Sequence, residues 1–430
     1  MYAVIGAGPM GLATARNLNK YDIPFIGFDL NSDVGGLWDI DNPHSTMYQS
    51  AHLISSKGMT EFSEFPMPDE VATYPHHSEM KRYFQSYARH FALYRHYEFS
   101  TRVVRVERDG DGWQVTTERD GETQRRYFQG VLIANGTLHK PNQPSLPGKF
   151  DGELMHSCDY RDASVFDGKR VLIVGCGNSA CDIAVDAVHR AASVDLSVRR
   201  GYYFLPKFIG GKPTDSIGGK IKLPRGLKQR LDARLIRLIV GKPSDYGLPE
   251  PSYRMYESHP VINSLVLHHL GHGDITPHGD IVGVVGDTVT FADGQSRVYD
   301  LVLMATGYKL DYPFIDASEL NWHNADAPQL YLNVFHPQYH NLFMMGMVEA
   351  AGLGWEGRNE QAEMVALYIK ARQNQHPVAD KLEKKAKAEA GQTLDGGFDY
   401  LKLERMAYYV HKDSYRKAVN AHIADLKQGV

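Results

Sequence analysis

Three short apolar runs punctuate the chain, and each ends in glycine. They are Tyr2–Ile5 before Gly6, Val171–Val174 before Gly175, and Leu301–Ala305 before Thr306-Gly307. Apolar character without polar alternation predicts strands buried on both faces, as in a parallel sheet. After the first run, the stretch Leu12–Leu18 reads as a helix, and Ile23, Phe25, Ile26 and Phe28 predict a strand ending at Asp29. After the second, Ile183, Ala184, Ala187 and Val188 share one helical face and lead to a strand over Val194–Val198. Alternating strands and helices predict an α/β fold. Later, Ile281–Val285 and Thr288–Phe291 predict a strand pair, and the Lys-, Glu- and Ala-rich stretch Val378–Ala390 a solvated helix.

Composition narrows this picture only modestly. A chain of 430 residues suggests two or three domains at about 150 residues each. A net charge of −4 argues against a general nucleic-acid binder. Three cysteines cannot build a disulfide framework and point to a reducing compartment. No apolar run is long enough to span a membrane. Met1 runs so directly into Gly6 that no leader is expected, and a cytoplasmic location follows as the expectation.

The 40 glycines cluster where chemistry is expected. Gly6-Ala7-Gly8-Pro9-Met10-Gly11 lies between strand and helix, the place where backbone can approach a pyrophosphate at a helix N-terminus. Asp29, 18 residues past Gly11, stands where a carboxylate accepts hydrogen bonds from a ribose. The second loop, Gly175-Cys176-Gly177-Asn178-Ser179-Ala180, lies 169 residues after the first. Its following strand ends in Arg199-Arg200. Guanidinium groups there suit a 2′-phosphate, and solvated surface arginines are the plain alternative. Two such loops imply FAD in the first domain and NADPH in the second, with hydride passing from NADPH to the flavin.

The electron acceptor is narrowed by elimination. Cys176 and Cys181 show dithiol-like spacing but lie in the second loop, and residues 30–60 contain no cysteine. They read as small packing residues, which leaves molecular oxygen as the acceptor. Between the loops runs Phe150-Asp151-Gly152-Glu153-Leu154-Met155-His156-Ser157-Cys158-Asp159-Tyr160-Arg161. Asp33-Val34-Gly35-Gly36-Leu37-Trp38, Met47-Tyr48-Gln49-Ser50, Phe62-Ser63-Glu64-Phe65-Pro66 and Ala305-Thr306-Gly307-Tyr308 accompany it. On these segments the sequence resembles the flavin-containing monooxygenases over nearly all of residues 1–370; the related Baeyer–Villiger enzymes carry Trp where Tyr160 stands.

The resemblance implies two Rossmann-like dinucleotide-binding domains, the NADPH domain inserted into a split FAD domain. The expected boundaries are 1–165 for the first FAD part, 166–298 for the NADPH domain, and 299–430 for the second FAD part with C-terminal helices. It implies that Gly6, Gly8, Gly11 and Asp29 hold the FAD adenosine and pyrophosphate. Gly36, Leu37, Trp38 and His44 would line the ribityl and isoalloxazine end, Val103 the adenine side, and Thr306 a further cofactor contact. Gly175, Gly177, Asn178, Ser179, Arg199 and Arg200 would bind NADPH. His156 would join the domains, and no side chain is assigned as catalytic acid or base. The implied reaction transfers one oxygen atom from a flavin C4a-hydroperoxide to an amine nitrogen or a sulfide sulfur, with desolvation and positioning carrying the catalysis. Baeyer–Villiger oxidation of ketones and NADPH oxidation with peroxide release are the alternatives. Molecular oxygen and a small nucleophile are the expected partners, a second copy of the chain is a candidate, and membrane contact is not expected.

Two positions depart from the family's pattern. Its active-site Asn falls on Ile54, with Ser55 one residue away as a substitute, and Ala134-Asn135-Gly136 carries Asn where Thr or Ser is usual. An isoleucine cannot hydrogen-bond, so more peroxide leakage or an altered substrate range is expected.

Two further signals lie outside the segments that carry the resemblance. Between Lys220 and Lys242, Leu227, Leu231, Leu235 and Leu238 recur at helical spacing among eight basic residues and one acidic. A helix packing over the NADPH domain with a solvated basic face is the expectation, and a helix lying on an anionic membrane is the alternative. His268, His269, His272, Asp274 and His278 read as a His-rich turn, and no metal site is expected.

Overall fold

Two five-stranded parallel sheets organise the computed structural model, which describes residues 1–217 and 223–430. The first sheet runs in the order Leu342–Met344, Gly130–Ile133, Tyr2–Ile5, Phe25–Phe28, Tyr97–Glu98. Tyr2–Ile5 is central and buried along its whole length, as its unbroken apolar character requires. Helix Pro9–Lys20 covers one face, with helix Gly354–Gln373 packed beside it. The opposite face carries Val106, Trp113, Val115 and Phe128 from the antiparallel strands Arg102–Asp109, Gly112–Arg119 and Glu122–Phe128.

The second sheet runs Glu153–His156, Leu301–Met304, Arg170–Val174, Ser193–Ser197, Ile275–His278. Helix Asn178–Val188 packs on one face. On the other, Leu172 and Val302 meet Val284, Val289 and Phe291 of a smaller four-stranded sheet. Strand pairing carries this sheet past the expected 166–298 span at both ends. Glu153–His156 forms its edge, and Leu301–Met304 lies between two partners, buried at every position. The strand pair falls at Ile281–Gly286 and Thr288–Phe291. The late solvated helix is Pro377–Ala388, with Ala379, Leu382 and Ala386 buried.

One expectation is reversed. Helix Arg225–Val240 exists, but it docks through Gln229 and Ile236, with the Gln229 amide donating to Met255 O at 2.9 Å. Leu227, Leu231, Leu235 and Leu238 face outward, from 42% to 84% exposed. Periodicity defines a helical face but not the direction in which it points. Lys220, where the basic stretch begins, lies outside the described residues. Among the described residues no helix is long and apolar enough to cross a membrane.

Candidate active site

The first glycine loop sits at the carboxyl end of the first sheet, and contacts a side chain would block fix its shape. Gly6 has φ +112°, and a Cβ there would stand 2.4 Å from Ala134 O; one on Gly11 would stand 1.9 Å from Gly6 O. Gly8 caps helix Pro9–Lys20, with no side-chain cap bond and no acidic residue in the first turn. Pro9 has no N–H, so the Met10 and Gly11 N–H groups are the ones that could receive an anion. Gly36 lies across from Gly8, where a Cβ would come within 3.1 Å of the Gly8 Cα. The neighbouring Gly35 N–H donates to Ala7 O at 3.0 Å.

Asp29 closes this cradle. It accepts from the Ala7 N–H at 2.5 Å and from the Asn31 N–H and amide at 2.8 and 2.9 Å. Burial raises its carboxyl pKa, while these donors pull it back. Of about four lone-pair sites on a carboxylate, three are used, so room remains for a ribose hydroxyl. The Asp29 carbonyl accepts from Thr101 N at 2.9 Å, which brings half-buried Val103 to the same end of the site. His44 also belongs to that end: its Nδ1 lies 3.2 Å from Asn31 Oδ1. Leu37 and Trp38 are half-buried on the turn Gly36–Trp38, with Trp38 edge-on to Trp355 at 6.4 Å.

Tyr97 was not singled out from sequence, yet it backs the loop. Its buried hydroxyl donates to Gly6 O at 3.2 Å and Gly11 O at 3.0 Å. A Cβ on Gly27 would meet its ring at 2.3 Å. A glycine inside an apolar strand was the available signal.

The second loop repeats this geometry. Gly175 has φ +121°, and a Cβ there would lie 2.5 Å from Ala305 O, whereas one on Gly177 would meet nothing within 4 Å. Gly177 caps helix Asn178–Val188, with no acidic residue in its first turn and exposed Ser179 at its start. Arg199 is exposed just beyond strand Ser193–Ser197. Arg200 bonds the Tyr202 hydroxyl at 3.1 Å and lies over its ring. Among the described residues neither arginine forms an ion pair.

Asn178 is held by a distant segment of the chain. Its Oδ1 accepts from Ile262 N at 2.7 Å and its amide reaches Pro260 O at 3.5 Å, so the side chain is committed to the protein. Thr306 donates to Asn142 O at 2.5 Å and stands beside the second loop. Cys176 and Cys181 are buried and free, with sulfurs 4.0 Å apart.

Residues 45–57 bridge the two sheets. The Tyr48 hydroxyl donates to Asp182 at 3.2 Å, and Ser50 bonds Asp186, which also accepts from Tyr160 at 2.8 Å. Arg161 gathers the carbonyls of Ser45 and Cys158 at 2.7 and 2.8 Å. Ser56 donates through N and Oγ to Asp215 at 2.7 and 2.9 Å. Half-buried Ile54 rides on this bridge. The Ser55 hydroxyl is 2.7 Å from Thr60 Oγ1, a bond that uses the proton of the candidate replacement for Asn. His156 is fully buried, edge-on to Tyr308 at 5.5 Å, and burial lowers its pKa.

The histidine group divides. His269 pairs with Asp274 at 2.8 Å, and His272 also approaches Asp274, at 3.9 Å, with His268 beside it at 4.0 Å between rings. His278 stands apart, buried against Phe291 and 3.2 Å from Asp195. Asn135 donates to Asp311 O at 3.2 Å, and the turn falls to Gly136, at φ +82°.

Comparison with known proteins adds a second line of observation. The family described as flavin-binding monooxygenase-like matches residues 1–425. Flavin-containing monooxygenase 5 of Cavia porcellus is 32% identical over 375 residues, 81% of this chain and 69% of the relative. Among solved structures, S-allyl-L-cysteine S-oxygenase from Allium sativum superimposes with a TM-score of 0.68 at 21% identity, covering 98% of this chain and 88% of that one. Caprolactone-bound cyclohexanone monooxygenase gives 0.73 at 21% identity, covering 100% and 98%.

Proposed function

This chain belongs to the flavin-binding monooxygenase-like family and is an FAD- and NADPH-dependent monooxygenase, and we propose that it oxygenates a soft nucleophile, an amine nitrogen or a sulfide sulfur. The observation that carries the reading is the identity to flavin-containing monooxygenase 5, higher than to either solved structure compared. Tyr160 agrees with it: the residue is fully buried, stacked on Phe166 and bonded to Asp186. The garlic neighbour is named for oxygenation at sulfur.

We assign Gly6, Gly8, Gly11, Asp29, Gly36, Leu37 and Trp38 to FAD, with Val103 and His44 at its adenosine end. Gly175, Gly177, Ser179, Arg199 and Arg200 are assigned to NADPH. Asn178 shapes the loop through Pro260–Ile262, and Thr306 braces Asn142. The inserted unit is proposed to run from about residue 148 to about 306, following strand pairing.

When bound, NADPH supplies the reducing equivalents and the flavin activates dioxygen. The chain's own contribution is binding and exclusion. Two helix N-termini and the unpaired arginines neutralise phosphates, and Asp29 orients the ribose. The bridge of residues 45–57 would hold the two nucleotide cradles in fixed relation through Tyr48–Asp182, Ser50–Asp186 and Ser56–Asp215, with half-buried Ile54 adding an apolar side chain there. No proton transfer through a side chain is required.

The cyclohexanone monooxygenase neighbour keeps ketone oxidation as a second reading. Turnover with NADPH of a tertiary amine, a thioether and a cyclic ketone separates them. N-oxide or S-oxide is the expected product, and lactone alone would overturn the assignment.

A further inference from the structure

Helix Arg225–Val240 presents to solvent the face that its sequence marks as apolar. Leu227, Leu231, Leu235 and Leu238 are 47%, 42%, 53% and 84% exposed, with Ile239 at 41% and Leu223, just before the helix, at 38%. At 3.6 residues per turn the four helical leucines fall within an arc of about 80°. A contiguous outward stripe of this kind is unusual on a soluble monomer and marks a surface that something covers.

The charges beside the stripe are ordered. Arg230, Arg234 and Arg237 all lie along one flank and are exposed. Lys228, on the other flank, is paired with Asp232, and Arg237 with Glu250 at 3.2 Å. Among the described residues Arg230 and Arg234 have no carboxylate partner. From Leu223 to Lys242 the chain carries six basic residues and one acidic, whereas the whole chain is at −4. A basic, apolar strip on an acidic protein is complementary to a negatively charged, apolar-cored surface.

We propose that this helix lies on an anionic lipid bilayer, its leucines in the acyl boundary and Arg230 and Arg234 against phosphate headgroups. A second copy is the less fitting occupant. A two-fold contact lays the same patch on itself and sets these uncompensated arginines against their own kind. The proposal reverses the sequence-based expectation that this helix packs its leucines inward. It does not depend on which atom the enzyme oxygenates.

The test is co-sedimentation of the flavin-loaded protein with vesicles. One set is pure phosphatidylcholine, and the other contains on the order of 30% phosphatidylglycerol. The wild type is expected in the pellet with the anionic vesicles only, and released as salt is raised to about 0.5 M. Two variant pairs divide the contributions: R230E with R234E removes the charge, and L231S with L238S removes the apolar contact. Each is expected to weaken binding by about tenfold or more, with flavin content and NADPH turnover unchanged. Three results would overturn the proposal: wild type left in the supernatant, equal sedimentation with both lipids, or binding unaffected in both pairs. A wild-type dimer that becomes monomeric in L231S/L238S would do so as well, by giving the stripe to a second copy.

Discussion

One methyl group separates the glycines that shape the two loops from those that leave room beside them. At Gly6 an added Cβ would meet the Ala134 carbonyl oxygen at 2.4 Å, and φ +112° disfavours any side chain. Gly6→Ala is therefore expected to cost about 1–3 kcal/mol of stability and to lower flavin content. At Gly177 the Cβ would meet nothing within 4 Å, and φ is −78°. Gly177→Ala should keep the wild-type Tm yet raise KM for NADPH by about tenfold, the weight of one or two kcal/mol, because the methyl group occupies the space assigned to the nucleotide. Thermal melts and steady-state kinetics on the two variants check the contrast; a wild-type KM in Gly177→Ala would remove the assignment. At Ile54 an apolar side chain stands where the family carries a polar group. The Ser55 hydroxyl donates its proton to Thr60, which itself donates to Ser56 O, so Ser55 offers no donor in place of an amide N–H. Ile54→Asn is expected to lower hydrogen peroxide released per NADPH consumed by about twofold or more, an effect within the worth of one hydrogen bond. Equal release from both proteins would contradict this.

At the scale of elements, the second sheet ties two of its strands together by a surface ion pair. The Arg170 N–H and guanidinium donate to the Asp300 carboxylate at 2.6 to 2.9 Å, at the starts of neighbouring strands. The Arg170 hydrogen bonds lower the Asp300 pKa from 3.8 to about 2. A carboxyl whose folded pKa lies below its unfolded value stabilises the protein above the unfolded pKa, and that stability fades as pH falls towards the folded one. Asp300→Asn should lower Tm by about 1 °C at neutral pH, the scale of an exposed pair. The gap should close as pH drops from about 5 towards about 2; a gap that widens in acid would contradict the linkage. Elements were legible where the signal was local. Strand Tyr2–Ile5, the loop after it and Asp29 lie within one short stretch, and their periods and turn residues announce them. Leu301–Met304 was found as a strand but not as a member of the second sheet, because pairing partners are not encoded in a strand's own pattern. The leucine spacing of Arg225–Val240 was read correctly and its direction was not, since the packing partners Gln229 and Ile236 look unremarkable in sequence.

In the whole molecule, two nucleotide-binding sheets meet through side chains that are far apart in sequence. Tyr48 with Asp182, Ser50 with Asp186 and Ser56 with Asp215 each join positions more than 130 residues apart. None of these pairs could be read from spacing, whereas both cradles could, because each is a self-contained strand–loop–helix unit. The same distance explains Asn178, whose partners Pro260 and Ile262 come from a distant segment. Across this junction, electrons from NADPH and one atom of dioxygen are proposed to end in one organic product. Reaction under ¹⁸O-labelled dioxygen with NADPH and an amine or sulfide substrate tests it most directly. One labelled oxygen atom in each molecule of product, with the NADPH not spent on product recovered as hydrogen peroxide, is the predicted result. NADPH consumption matched by hydrogen peroxide, with unlabelled substrate recovered unchanged, would contradict it.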